Sequence, residues 1–217
     1  MMLTESPTEL TTSATDMLLA IECACIMIYL WKAPAADRWR TSLWCWVFGL
    51  LAFSSFTGAA AHGIEMQDST REALWVPLYI SLGIVVALFA VGALYDLAGR
   101  DTAKRLVWPG VASGFLFFVL VHLFNGAFII FVIYEAIALI CALAIYSFLS
   151  VTSRLKGAAT VSSAILLNIA AAGVQAGGVH IEIIFPFDHN GVFHLIQVVA
   201  LVILGLGLRM GMKPYSG

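Results

Sequence analysis

The chain has 217 residues, of which 61% are hydrophobic, 12% aromatic and only 11% charged, with a mean hydropathy of +0.96. Soluble domains carry roughly 25% charged residues, so most of this surface faces something other than water, and no sizeable soluble domain fits beside the apolar runs. A net charge of -2 provides no basic field, which sets nucleic-acid binding aside.

The first fifteen residues hold Glu5 and Glu9 but no Lys or Arg, unlike the basic opening of a cleavable signal, and are expected to form an N-terminal tail (1–15). Apolar runs bounded by charge, Pro or Gly then predict seven membrane spans near 16–33, 42–63, 73–97, 106–124, 127–150, 159–181 and 190–210. The expected fold is all-α, a polytopic seven-transmembrane-helix bundle over 16–211 with a short tail at 212–217. Only Asn125 and Gly126 separate the fourth and fifth runs, which together are too long for one helix and so predict a hairpin. The four cysteines, Cys23, Cys25, Cys45 and Cys141, lie in apolar runs without C-x-x-C spacing and read as packing residues. The pairs Gly110/Gly114, Gly173/Gly177 and Gly207/Gly211 read as places of close helix packing.

Basic residues set the direction. With the N-terminus outside, ten of the eleven lie in the cytoplasmic loops and tail (Lys32, Arg38, Arg40, Arg100, Lys104, Arg105, Arg154, Lys156, Arg209, Lys213), and only Arg71 lies opposite. Lys and Arg near helix ends resist translocation, so the expectation is N-outside, C-inside, as an integral protein of a bacterial plasma membrane.

Depth along each span then sorts the polar residues. His62, His122, His180, His189 and His194 all fall in the outer half, and Glu22 and Glu135 lie about two turns in from the same face. Charges at such depth cost roughly 2.5–3.5 kcal/mol on insertion scales unless they find partners or water. Two explanations stay open for the glutamates. Each makes an interhelical hydrogen bond, or both line an outward-opening polar cavity with Tyr134, Gln175, Asn125 and the histidines. Asp96 ends the third span beside Arg100 and is expected to be a solvated end charge. In the seventh span Asn190, His194 and Gln197 follow i, i+4, i+7 and share one helix face, with Asp188 as the N-cap. His189 lies five residues before His194, about 140° around an ideal helix, and reads either as a cap-region packing residue or as a ligand that folds back.

The seven spans, the segment Thr57-Gly58-Ala59-Ala60-Ala61-His62-Gly63 and the segment Asn190-Gly191-Val192-Phe193-His194 resemble the CREST superfamily of membrane hydrolases, which includes alkaline ceramidases, adiponectin receptors and Per1-like proteins. In that family a span-2 histidine, two span-7 histidines four apart, and a nearby Asp and Ser are associated with a zinc ion that activates water on a lipid amide or ester. The resemblance implies His62 and His194 as ligands. The first span-7 position is Asn190 here, with His189 beside it as the candidate third ligand, and Gly58 stands at the serine position. Zinc hydrolysis needs three protein ligands, an open position and an acid/base group. Glu65 or Asp68 is the candidate for that last role, with Glu72 in the same region, His122 and His180 nearby, and Glu135, Gln197 or Tyr134 as groups that orient the imidazoles.

Two functions follow as expectations. The first is a zinc-dependent membrane hydrolase acting on a lipid substrate. The alternative is a non-enzymatic protein whose outward cluster binds another transition metal, haem or a small ligand, or docks a partner subunit or a second copy. Transport is weaker because the polar residues avoid the inner half, where Asn168 is the main mid-depth exception. Span 7 lacks the lysine a retinal Schiff base needs, and the inner half lacks histidines for paired haem ligation.

Overall fold

The computed structural model describes residues 2–124, 128–182 and 184–212. Among these it has seven helices: α1 Pro7–Trp31, α2 Arg38–Gly63, α3 Asp68–Ala98, α4 Arg100–Leu123, α5 Phe128–Val151, α6 Ala158–Ala176 and α7 His189–Met212. Each contains a stretch long and apolar enough to cross a membrane. A two-residue hairpin, β1 Ile181–Glu182 and β2 Pro186–Phe187, joins α6 to α7.

Local chemistry sets the helix ends. Ser6 caps α1 by accepting from the Glu9 N–H, with Pro7 at the first helical position, where its missing N–H costs nothing. Asp37 caps α2 through the Trp39 N–H at 2.8 Å. Gly99, at φ 85°, both ends α3 and starts α4, a corner that L side chains rarely adopt. The expected N-terminal tail is largely helical, since α1 starts at Pro7, and its first turns are tied to the bundle. Leu3 bridges Ile64, Ser13 donates to the Ala59 carbonyl at 2.7 Å, and Thr11 donates to the Pro186 carbonyl at 2.8 Å. The sixth span is shorter than its apolar run, because α6 ends at Ala176 and the chain turns through Gly177 and Gly178 into the hairpin. Asn125, Gly126 and Lys213 lie outside the described residues, as does most of the expected tail at 212–217.

The helices close into a ring. α1 packs on α2, α2 on α3, α3 on α5, α5 on α6, α6 on α7 and α7 back on α1, while α4 packs against α3 and, over a smaller area, α5. Peripheral placement of α4 shows in its burial, 17% of its most apolar window against 56% for α7. Outward residues such as Ile133, Ile137, Ile140, Val199, Val202 and Leu206 stay exposed, giving the bundle an apolar exterior.

Glycines let backbones approach at two of the three expected places. A Cβ on Gly114 would lie 2.8 Å from the Gly83 backbone across the α3/α4 seam, and one on Gly207 would lie 2.8 Å from the Val161 side chain of α6. Gly173 faces open space, so the Gly173/Gly177 pair makes no close helix contact there. Cys23 is fully buried and serves packing as expected, but Cys25 and Cys141 are exposed on the apolar exterior.

The half of the bundle where α1 ends is a solid core of Leu30, Trp44, Phe48, Tyr146, Leu149 and Leu208. Trp44 meets Phe89 edge-on at 5.6 Å and lies directly on Gly92 of α3. A charged clamp locks this half. Arg40 grips Asp96 in a two-pronged ion pair at 2.6 and 2.8 Å, and Tyr146 donates to the same carboxylate at 2.8 Å. Asp96 is therefore not the solvated end charge expected beside Arg100. Its side chain is 1% exposed, and Arg100 instead approaches Asp37 at 3.8 Å. Burial would favour the neutral form of Asp37, but bonds from the Tyr95 hydroxyl and the Trp39 N–H, with the charge of Arg100, outweigh it and hold the carboxyl below its ordinary range.

Removing one partner of a buried pair strands the other charge, at a cost of about 3–5 kcal/mol. Asp96→Ala is thus expected to lower stability by about that amount in detergent unfolding, and Arg40→Met with Asp96→Leu to recover most of it. Equal stability of Asp96→Ala and wild type would remove the clamp from its structural role.

Candidate functional site

The other half of the bundle encloses a cavity of about 280 Å³ lined by six of the seven helices, all except α4. It follows α2 from His62 to Val47 and α3 from Trp75 to Phe89, a length of about 20 Å at 1.5 Å per residue. One end is polar, with Asp16, His62, Gln175, Asn190 and His194, and the other is apolar, with Phe48, Val85, Phe89, Leu201 and Leu204.

The polar head rests on the first turns of α1. Glu9, Thr12, Ser13 and Asp16 fall at i, i+3, i+4 and i+7, one face of a helix, and that face meets α2 and α7. Glu9 reaches His62 Nδ1 at 2.6 Å, and the His62 ring sits edge-on to Trp75 at 5.4 Å. Asp16 Oδ1 faces His194 Nε2 at 3.5 Å, and the two side chains are 8% and 12% exposed. The Thr15 hydroxyl donates to the Thr12 carbonyl at 2.9 Å and lies 3.1 Å from His194 Nδ1. With its proton so used, that hydroxyl accepts from the ring, which assigns a proton to Nδ1 and turns Nε2 toward Asp16. Thr12 in turn donates to Asp188 at 2.9 Å.

Asp188 caps α7 as expected, accepting from the Gly191 N–H at 2.8 Å. Partial burial pushes its carboxyl up, but the Gly191 N–H, the Thr12 hydroxyl and the neighbouring histidines outweigh this and hold it below the ordinary carboxylate range.

The expected site residues therefore divide. His62, Glu135, Gln175, Asn190, His194 and Gln197 all line the cavity, and Gln175 donates to Asn190 at 2.8 Å across the α6/α7 seam. Tyr134 lies behind the wall, bonded to the Gly83 carbonyl at 3.0 Å and stacked on Phe117. Glu22 stands away from the cavity lining, its carboxyl buried beside the Val202 backbone of α7. His189 and His180 face each other at 5.9 Å outside the cavity lining, and His180 is exposed in the loop after α6. His122 is exposed at the end of α4 beside Phe118. Glu65 and Asp68 are exposed at the α2/α3 turn, where Glu65 edges a shallow depression with Arg71.

These positions do not fit the three-ligand zinc set. Two of its histidines share the cavity head, each with its Nδ1 held by a side chain of α1, a contact compatible with a ligand role for Nε2, but His189 is not part of that lining. Among the described residues no three His, Cys, Asp or Glu side chains gather in a group able to hold a metal ion. Gly58 explains one departure. A Cβ there would lie 2.8 Å from the Asp16 carboxylate, so Asp16 occupies the space in which a serine side chain would sit.

Asp16 is the residue the apolar pattern leaves unmarked, because it falls on the edge of the first hydrophobic run. The i, i+3, i+4, i+7 spacing of Glu9, Thr12, Ser13 and Asp16 is the signal that finds it. Ser54 and Ser55 likewise reach the cavity from inside an apolar helix.

Fold and site together define a class: a seven-helix bundle with membrane-length apolar helices and one elongated internal cavity, polar at one end. Within that class the chain belongs to a family of unknown function, DUF6962, whose profile matches residues 11–213. No curated protein and no solved structure matches the chain.

Gly58→Ser is expected to destabilise the protein by about 1–3 kcal/mol through overpacking against Asp16, and Gly58→Ser with Asp16→Ala to regain most of the loss in detergent unfolding. An additive double variant would show that the two positions do not compete for space. The low carboxyl value of Asp188 carries a sign as well. Its stabilising effect is complete above the ordinary range near pH ~3.9 and is lost as pH falls through the lower folded value. The stability gap between wild type and Asp188→Asn is expected to be widest at neutral pH and to close on acidification; a gap independent of pH would contradict this.

Proposed function

We propose that the protein is an integral membrane protein, N-terminus outside, that takes a single-chain amphipathic molecule into the bundle. The observation that carries this is the polarity gradient along one cavity, from Asp16, His62 and His194 at the head to Phe48, Phe89 and Leu204 at the tail. Enclosed, mostly apolar cavities with a few convergent polar groups are the usual form of small-molecule sites. The distribution of basic residues supports the orientation, because the head then opens on the side opposite the Lys and Arg loops. The apolar exterior supports residence in a bilayer, and we read that bilayer as a bacterial plasma membrane.

A second reading is hydrolysis of a lipid amide or ester, favoured by the resemblance at His62 and His194 and by their shared position beside Asp16. In its zinc-dependent form the ion would activate water, with His62, His194 and Asp16 as the nearest candidate ligands, a set that must rearrange to bind it. Without rearrangement, the Asp16 and His194 pair is placed to exchange one proton with a bound group, a general acid/base arrangement.

Ala138 lines the cavity and is 9% exposed, so Ala138→Phe fills the space without adding charge. Mass spectrometry of organic extracts is expected to find a co-purifying amphiphile in wild type, reduced about tenfold in Ala138→Phe. The same preparations, assayed for zinc and for release of a fatty acid from lipid amides and esters, separate binding from hydrolysis. A wild-type protein free of any amphiphile, and unable to take one up, would sink the proposal.

A further inference from the structure

The charges inside the cavity say which amphiphile it takes. Among the described residues no Lys or Arg lines it, whereas Asp16 and Glu135 do. The two histidines supply no surplus positive charge: His62 is matched by Glu9 at 2.6 Å, and His194 faces Asp16 at 3.5 Å with its other nitrogen on Thr15. Glu135 is then left over. It projects from α5 into the cavity, and no hydrogen bond or ion pair reaches its carboxyl among the described residues. The charged form of an acidic group so placed is costly unless a cation joins it.

The cavity that holds Glu135 is also lined by aromatic side chains. Phe131 lies one turn earlier on α5, and Trp75 and Tyr79 of α3, whose rings are 5.9 Å apart, face the same cavity. Ring faces carry negative potential and attract ammonium groups, the more so when water is excluded. Beyond them the cavity continues between apolar side chains to Phe89 and Leu204.

We propose that the ligand is a hydrophobic cation, a single alkyl chain bearing an amine or quaternary ammonium group, held by the Glu135 carboxylate within the aromatic wall of Phe131, Trp75 and Tyr79. This rests on the proposed amphiphile cavity and specifies the charge of its occupant. An anionic chain is repelled by the Glu135 carboxylate, and a neutral chain leaves it unpaired.

The test uses the full chain in nanodiscs of a zwitterionic lipid, exposed to equimolar tetradecyltrimethylammonium, tetradecanol and tetradecanoate. After free ligand is removed, each compound retained per protein is counted by mass spectrometry. The cation is expected to be retained about tenfold over the alcohol and the carboxylate. Glu135→Gln is expected to abolish that preference while leaving retention of the alcohol unchanged and without lowering the ligand-free unfolding midpoint. Equal retention of the three compounds, or unchanged cation retention in Glu135→Gln, overturns the inference but leaves the cavity reading standing. Retention of none of them overturns both. Zinc retained in place of the cation, when the same nanodiscs are exposed to zinc as well, overturns it in favour of a metal site. Should Glu135→Gln fail to fold, the wild-type ratio decides by itself.

Discussion

The guanidinium of Arg40 and the carboxylate of Asp96 hold three helices at one depth. Arg40 comes from α2, Asp96 from α3, and the Tyr146 hydroxyl that completes the carboxylate comes from α5. A charge that leaves water must find its partner inside the fold, so this contact admits little freedom in how the three helices align. The apolar packing below and above it, Trp44 on Gly92 and Phe89, then has a fixed frame to fill. Because that end is closed by a charged clamp and large rings, the space the helices cannot fill collects at the other end.

Ring closure decides where the cavity runs. Six helices enclosing a common axis leave a wider centre than a tightly packed four-helix bundle, and α4, packed outside against α3 and α5, does not plug it. Gly83 and Gly114 draw α4 against α3 on the outer side. The result is a lumen whose walls are apolar helix faces and whose head is built from the ends of α1, α2 and α7. Polar groups at those ends bond to one another in sequence, His194 to Thr15, Thr15 to Thr12, Thr12 to Asp188, and Asp188 to the N–H of Gly191. Such a chain holds the imidazole in one orientation and fixes the tautomer it presents to the lumen.

Much of this was legible in the sequence, for identifiable reasons. Membrane-length apolar runs specify the seven helices, because length and hydropathy alone separate them from loops. The shared face of Asn190, His194 and Gln197 was legible because helical periodicity brings them together, and all three line the lumen. Periodicity within one helix says nothing of which other helix a residue meets. Asp96 therefore reads as an end charge next to Arg100, whereas its partner, Arg40, is 56 positions away. His189 and His180 share the outer half with His62 by depth, yet rotation about their own backbone takes them out of the lining. The start of α1 was hidden because Glu9, Thr12, Ser13 and Asp16 lower the hydropathy of the turns that carry the site.

Asp16 also accounts for the glycine at position 58. A carboxylate from α1 and a side chain at position 58 compete for one volume, and glycine at 58 concedes it. The histidine on the same face of α2, His62, keeps its place but turns its Nδ1 to Glu9, also from α1. The third expected histidine position is Asn190, which bonds to Gln175. Each change moves the head of the cavity in one direction, from side chains arranged around a common centre toward side chains satisfied in pairs with α1 and α6. A head paired in this way has its two imidazoles held by α1, while Glu135 of α5 lines the same lumen with no hydrogen bond or ion pair to its carboxyl among the described residues.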